Sequence, residues 1–464
     1  MKMKKYSFWI LALSLIAFGC NSQNSKDTTA ETSDSTANQV LVSHVNHPDW
    51  SKNANIYEVN LRQYTPEGTI NAFMKQMPRL KEMGVDILWF MPVQPIGEKN
   101  RKGELGSYYS VRDYHVISPE FGTMEDFKTM VKQAHALDMK VIIDWVANHT
   151  AWDHAWMSDY PEFYAIDSTG NMYSPSGWED VVQLDYENDA LRDTMIGELK
   201  YWIKETDIDG YRCDVADKVP TDFWDRARRE LDKIKPVFML AEAEKEELLI
   251  DAFDMDYGWH LHKLSKMIAR GDTSATVIAA YFDQLEETFP KGAYKMNFTS
   301  NHDENSWNGT MYERYGEGYK TFAVLMATVP GMPLVYSGQE SAFDKRLEFF
   351  KKDVINWKDY PLKDFYKTLL DLKHRNQALW NGDFGGKYVP VETDNEAVVT
   401  FTRTKNNQSV LVILNLSAEQ EDVTLQGDAY AGDYNDVFGE KKITMRDNHQ
   451  LRLEAWEYRV YEGL

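Results

Sequence analysis

Val85-Asp86-Ile87-Leu88-Trp89-Phe90-Met91-Pro92 is a near-continuous apolar run of strand length. A run of that kind reads as a strand buried on both faces, as in a parallel sheet covered by helices. The flanking sequence repeats the unit. Residues 56–61 read as an earlier strand, after which Ile70, Phe73, Met74, Met77 and Leu80 fall on one helical face. Downstream, a helix carrying Phe127, Met130, Val131 and Ala134 leads to a third strand over 140–146, and Leu191, Met195, Leu199 and Trp202 mark a third helix. Strand 211–215, helix 222–234 and strand 237–241 continue the series. Further strands are expected near 252–256, 295–299 and 333–336, with helices near 319–328 and 363–374. Eight strand-then-helix units predict an α/β fold, a (β/α)8 TIM barrel over 49–379, rather than a doubly wound sheet. An open sheet is the alternative, because periodicity does not show closure.

Two long loops interrupt the series, 93–123 after the second strand and a short inserted domain of about 149–189 after the third. Loops at the carboxyl ends of strands are where barrels carry function. Beyond about residue 380 the helical pattern stops. Residues 397–402 and 409–416 flank the turn Lys405-Asn406-Asn407-Gln408, and short strands follow to Tyr461, which predicts a C-terminal all-β sandwich domain over 380–464.

The formal net charge of −22 argues against nucleic acid or an anionic membrane surface as a partner, and 14 Trp with 26 Tyr suit either sugar stacking or a large core. At the N-terminus Lys2, Lys4 and Lys5 precede an apolar run ending in Ala17-Phe18-Gly19-Cys20. That is the layout of a signal peptide over 1–19, and a cysteine after a small residue resembles a bacterial lipobox, with Cys20 as the lipidation site. The expected product is an exported bacterial lipoprotein held to a membrane by its lipid anchor. Residues 20–48, poor in large apolar side chains, read as a flexible tether. Only Cys213 is then left for the fold, so no intrachain disulfide forms.

Four predicted strands end in polar clusters: Asp144-Trp145-Val146-Ala147-Asn148-His149, Arg212 and Asp214 within Gly210-Tyr211-Arg212-Cys213-Asp214, Ala241-Glu242, and Ser300-Asn301-His302-Asp303. Singly, each has a bland reading. Asp144 and Asp303 suit caps, His149 and His302 suit satisfied core histidines, and Glu242 opens an acidic run. Together, carboxylates crowded at one barrel mouth need a reason, and glycoside hydrolysis supplies one: a carboxylate nucleophile, a protonated carboxyl for the leaving oxygen, and groups that hold the sugar. Arg212, two positions before Asp214, projects to the same side of the strand and is placed to hold it ionised.

The ordered set DWVANH, GYRCD, AE and FTSNHD resembles the signature regions of the α-amylase family, glycoside hydrolase family 13, across about residues 50 to 464. Gly106-Ser107-Tyr108-Tyr109, Gln183-Leu184-Asp185, Gly331-Met332-Pro333 and 455–461 are similar to further family stretches. The resemblance implies Asp214 as nucleophile, Glu242 as general acid/base and Asp303 as the third carboxylate. It further implies Arg212 holding Asp214, His149 and His302 bonding the sugar, Tyr109 stacking under it, and Asp144 supporting the network. The implied activity is retaining hydrolysis of α-1,4-glucosidic bonds in starch or maltodextrin-type glucans. Alternatives are a cyclomaltodextrinase or neopullulanase, an α-1,6-glucosidase, a transglycosylase, or a glucan-binding lipoprotein without catalysis. No cofactor is implied for the chemistry. Family members often bind a structural calcium ion, and Asn148 and Asp185 stand at two ligand-like positions, whereas calcium takes six to eight oxygens. The chain departs from the family at Asp217 and Lys218, where many members carry Lys-His. Oligomeric state is not set by the sequence.

Overall fold

The computed structural model describes residues 41–439 and 441–464. The signal segment and Cys20 lie outside the described residues. Eight parallel strands close into a barrel: β1 (Ile56–Val59), β2 (Ile87–Phe90), β3 (Lys140–Trp145), β4 (Gly210–Cys213), β5 (Phe238–Ala241), β6 (Met255–Tyr257), β7 (Tyr294–Phe298) and β8 (Met332–Tyr336), with β8 pairing back onto β1. The apolar run from Val85 to Pro92 is explained by this closure. Ile87 and Trp89 pack inward with Ile56, Ile142, Phe238, Leu240 and Met296, while Leu88 and Phe90 pack outward against the helical ring. Both faces are therefore dry.

The inward positions change character toward the carboxyl ends. Ile56 is followed two residues on by Glu58, Ile142 by Asp144, and Leu240 by Glu242. Register aligns them: Glu58 pairs with Trp89, Asp144 with Arg212, and Arg212 with Leu240. A polar layer thus sits on an apolar plug. Gly210 makes the start of β4 possible, since its φ is +152° and a Cβ there would lie 1.8 Å from the Phe238 carbonyl oxygen.

Two expectations from periodicity are corrected. The strand read over 56–61 ends at Val59, and Leu61–Tyr64 forms a helical turn. The helical face from Ile70 to Leu80 is split into Ile70–Met74 and Met77–Met83, with Pro78 in the first turn of the second piece, where its missing N–H costs nothing. The first 40 residues aside, the tether is also shorter than its composition suggests. Residues 42–47 are bonded to the barrel floor: Ser43 N donates to Lys291 O at 2.9 Å, His44 N to Ile250 O at 2.7 Å, and His47 Nδ1 lies 2.7 Å from buried Asp254.

The inserted segment is a two-stranded hairpin, His149–Ala151 with Val181–Gln183, carrying short helical turns between its arms. The C-terminal region pairs a six-stranded antiparallel sheet with a two-stranded one, Glu421–Thr424 and Gln450–Leu453, around Leu411, Ile413, Val423, Leu425 and Leu453. Its leading hairpin turns at Asn406 and Asn407, both at positive φ (46° and 66°), as a two-residue turn of this hand requires. Arg403 ties the sheet to the barrel by donating to the Thr328 and Val329 carbonyls.

Candidate active site

At the carboxyl ends of the strands, a cavity of about 380 Å³ is lined by Tyr109, His149, Asp214, Glu242, His302 and Asp303. Asp144 and Arg212 lie at its base, both fully buried. All eight residues singled out at the barrel mouth are therefore brought to one place. Asp217 and Lys218 are not: they are exposed on the turn after Asp214.

Arg212 organises the base. Its Nη1 donates to Asp144 at 2.7 Å and to Asp214 at 3.1 Å, its Nη2 is 2.9 Å from Glu242 Oε1, and its Nε donates to the Tyr257 hydroxyl at 3.1 Å. The planar guanidinium is suited to such shared binding, because its donors point in fixed directions. Beside this ion pair, Glu242 Oε2 accepts from the N–H of Val215 at 2.8 Å. Val215 pays a conformational price for this, adopting φ 39° and ψ 49°, a left-handed backbone that a β-branched side chain rarely takes.

On the other side, His302 Nδ1 lies 2.5 Å from Glu58 Oε1, while its Nε2 lies 2.8 Å from the Tyr109 hydroxyl and 3.2 Å from Asp303. Tyr109 in turn donates to Asp144 at 3.0 Å, so its oxygen accepts from His302. Both ring nitrogens of His302 then donate, which is the imidazolium form. Burial opposes that charge, but Asp303 and Glu58 overcome it and raise the pKa well above the ordinary value. Burial likewise pushes Asp303 up, and His302 more than offsets it, leaving this carboxyl below the usual range.

Among the described residues, five carboxyls (Glu58, Asp144, Asp214, Glu242 and Asp303) share ion-pair contacts with two cations, Arg212 and His302. So crowded a set does not ionise completely. Burial, opposed by Arg212, lifts Asp144 to about 6. Burial and then the charge of Glu242 raise Asp214 well above a normal aspartate.

His149 is the neutral member. Burial lowers its pKa to about 4, and its Nδ1 faces the Asn148 amide at 3.2 Å. Buried His154 behaves the same way, with burial lowering it from 6.5 to about 4. Between those two values the unfolded chain binds a proton that the folded chain refuses, so stability rises with pH across this window and is lost on acidification. A His154→Gln variant, remote from the cavity lining, is expected to flatten the decline in melting temperature between pH 6.5 and 4. An unchanged slope would remove His154 from that account.

At the two positions that resemble calcium ligands, Asn148 Oδ1 accepts from Gln183 Nε2 at 3.0 Å and Asp185 Oδ1 accepts from the Glu187 N–H at 3.1 Å. Among the described residues no cluster of three or more acidic, histidine or cysteine side chains is arranged to hold a metal ion.

Sequence reasoning missed Glu58 and the rim. Glu58 had a signal, a lone carboxylate in an otherwise apolar strand. Trp307, Phe349 and Phe350 line the cavity from loops after β7 and β8, where no periodicity marks them. Trp178, carried between the arms of the inserted hairpin, lines the cavity beside His149 with ring centroids 5.5 Å apart; Trp156 is buried.

A family model described as the alpha amylase catalytic domain matches residues 23–418, and one described as the alpha-amylase SusG C-terminal domain matches 398–460. The chain belongs to the alpha-amylase family. It is 27% identical to alpha-amylase MalA of Haloarcula japonica, with 86% of this chain covered, and it spans about three-fifths (61%) of that relative's length. It is 30% identical to the maltogenic alpha-amylase AmyB of Thermotoga neapolitana, with a TM-score of 0.82 and coverage of 89% of this chain and 99% of that one. An alpha-amylase from Lactobacillus plantarum is 29% identical at a TM-score of 0.80, covering 89% of this chain and all of the other. This alpha-amylase family member thus shares both the barrel and the C-terminal sheet domain with solved relatives.

Proposed function

We propose that the protein is a retaining glycoside hydrolase that cleaves α-1,4-glucosidic bonds in starch or maltodextrin-type glucans. The observation that carries this reading is the single Arg212 guanidinium joined to Asp214, Glu242 and Asp144 at the mouth of the barrel, beside the Tyr109 ring. Asp214 attacks the anomeric carbon while Glu242 donates a proton to the glycosidic oxygen. The C–O bond breaks, the leaving chain departs with a free hydroxyl, and a glycosyl ester forms on Asp214. Glu242 then takes a proton from water, whose oxygen displaces Asp214 and regenerates both carboxyls. The positive charge that develops at the anomeric carbon is stabilised by the adjacent Asp214 carboxylate.

Asp303, held ionised by His302, is placed to accept from sugar hydroxyls, and neutral His149 has a ring nitrogen free of the Asn148 contact. The chemistry uses side chains alone. Incubation with amylose, pullulan and cyclodextrin, followed by proton NMR of the first products, tests the proposal. Maltooligosaccharides in the α configuration from amylose are expected. β-Configured products would overturn retention, and preferential attack on pullulan or cyclodextrin would shift the assignment within the family.

The chain is further proposed to be an exported lipoprotein carrying acyl chains on Cys20, supported by the residue pattern alone. Among the described residues no helix is long and apolar enough to cross a membrane. Activity is expected in the membrane fraction and, for Cys20→Ala, in the soluble fraction. Equal partitioning of both forms would sink the anchor.

A further inference from the structure

We infer that Trp307 is a stacking platform for the glucose unit that precedes the cleaved bond by one residue on the non-reducing side, a specificity determinant that rests on the glucan-hydrolase reading. Trp307 is 53% exposed, among the largest exposed apolar groups of the described chain, yet it lines the same cavity as Asp214 and Glu242. An indole left facing water in a cleft is a surface waiting for an apolar face to cover it, and a pyranose ring offers one through its C–H groups.

The segment that presents it is firmly held. Glu304–Asn308 forms a single π-helical turn, an arrangement frequent at functional sites. Glu304 N donates to Asn301 at 2.7 Å, and the Glu304 carboxylate is pinned by Lys266 and His262, each at 3.0 Å. The exposure of Trp307 is therefore built in by a fixed turn.

The ring also has neighbours in line with the floor of the site. Trp307 lies 5.4 Å from Phe349, and Phe349 lies 6.3 Å from Tyr109 with the two planes only 13° apart. A sugar over Tyr109 is thus continued by an aromatic surface running toward Trp307. The direction follows from the residues that hold the retained sugar. His302 and Asp303 follow β7 five and four positions before Trp307, and Phe349 lies parallel to the Tyr109 ring on which that sugar rests, whereas Glu242, which protonates the leaving oxygen, ends β5. The platform therefore serves the part of the chain that stays on Asp214.

The test compares p-nitrophenyl α-maltoside, which has one glucose beyond the cleaved unit, with p-nitrophenyl α-glucoside, which has none. For Trp307→Ala the ratio of kcat/KM between maltoside and glucoside is expected to fall about tenfold, mainly through KM, and Trp307→Phe is expected to restore most of it. In parallel, calorimetry in an Asp214→Asn background measures maltotriose binding, which Trp307→Ala is expected to weaken by a similar factor. An unchanged maltoside-to-glucoside ratio, or a loss equal on both substrates, overturns the platform. Wild-type protein that releases no reducing sugar from amylose while Trp307→Ala still weakens maltotriose binding would overturn the hydrolase reading and leave the platform standing. Intact maltotriose affinity in the Trp307→Ala variant overturns the platform whatever the activity.

Discussion

Asp214→Asn is expected to lower the rate of glucan hydrolysis by on the order of 10⁴-fold or more, and to leave the melting temperature equal or higher. The two halves of this outcome have one cause. The carboxyl is 7% exposed, and burial together with Glu242 makes its charge expensive. An amide keeps the shape and a bond to Arg212's neighbourhood but removes the charge, so the folded state loses a strained ionisation and keeps its packing. The chemistry cannot follow, because a neutral amide does not form the glycosyl ester. Reducing-sugar release and thermal unfolding on the same preparation check it. Activity near the wild-type level would remove Asp214 as nucleophile, and a large drop in melting temperature would show that its charge stabilises the fold.

The largest effect on stability is expected at Arg212. Arg212→Met deletes the one cation shared by Asp144, Asp214 and Glu242, and it strands Asp144, which is fully buried. Removing one partner of a buried ion pair costs about 3–5 kcal/mol, because the charges left behind have neither water nor counter-ion. Urea unfolding measures it. Adding Asp144→Asn to Arg212→Met should return part of the loss, since the amide needs no cation, and the resulting cycle isolates the coupling between the two groups. If Arg212→Met unfolds at the wild-type urea concentration, the guanidinium is a device of catalysis alone and the carboxyls are neutral without it.

The eight strands were legible because a barrel strand is dry on both faces, and runs such as Ile87–Phe90 admit little else. The polar residues at their ends were legible because they break such runs abruptly, as Asp144 does after Ile143. Glu58 was passed over for a physical reason: it sits inside the run, buried, and its meaning comes only from His302, more than two hundred residues away. Trp307 and Phe349 were invisible because loops carry no period. The charge balance was also out of reach. A sequence shows which carboxyls exist, but not that one Arg212 stands within reach of three of them. Helix ends were misjudged where one apolar stripe spans a break, as between Met74 and Met77.

The strap of residues 42–47 has a practical consequence. It fastens the chain to the ends of the strands farthest from Asp214, beside Ile250, Asp254 and Lys291. A protein coupled to beads or to a sensor chip through a tag placed ahead of this strap is held from beneath, with its opening turned toward the bulk liquid. Long polymers then reach it as freely as short ones, so a bead-bound preparation should keep the same preference between amylose and maltotriose as the free enzyme.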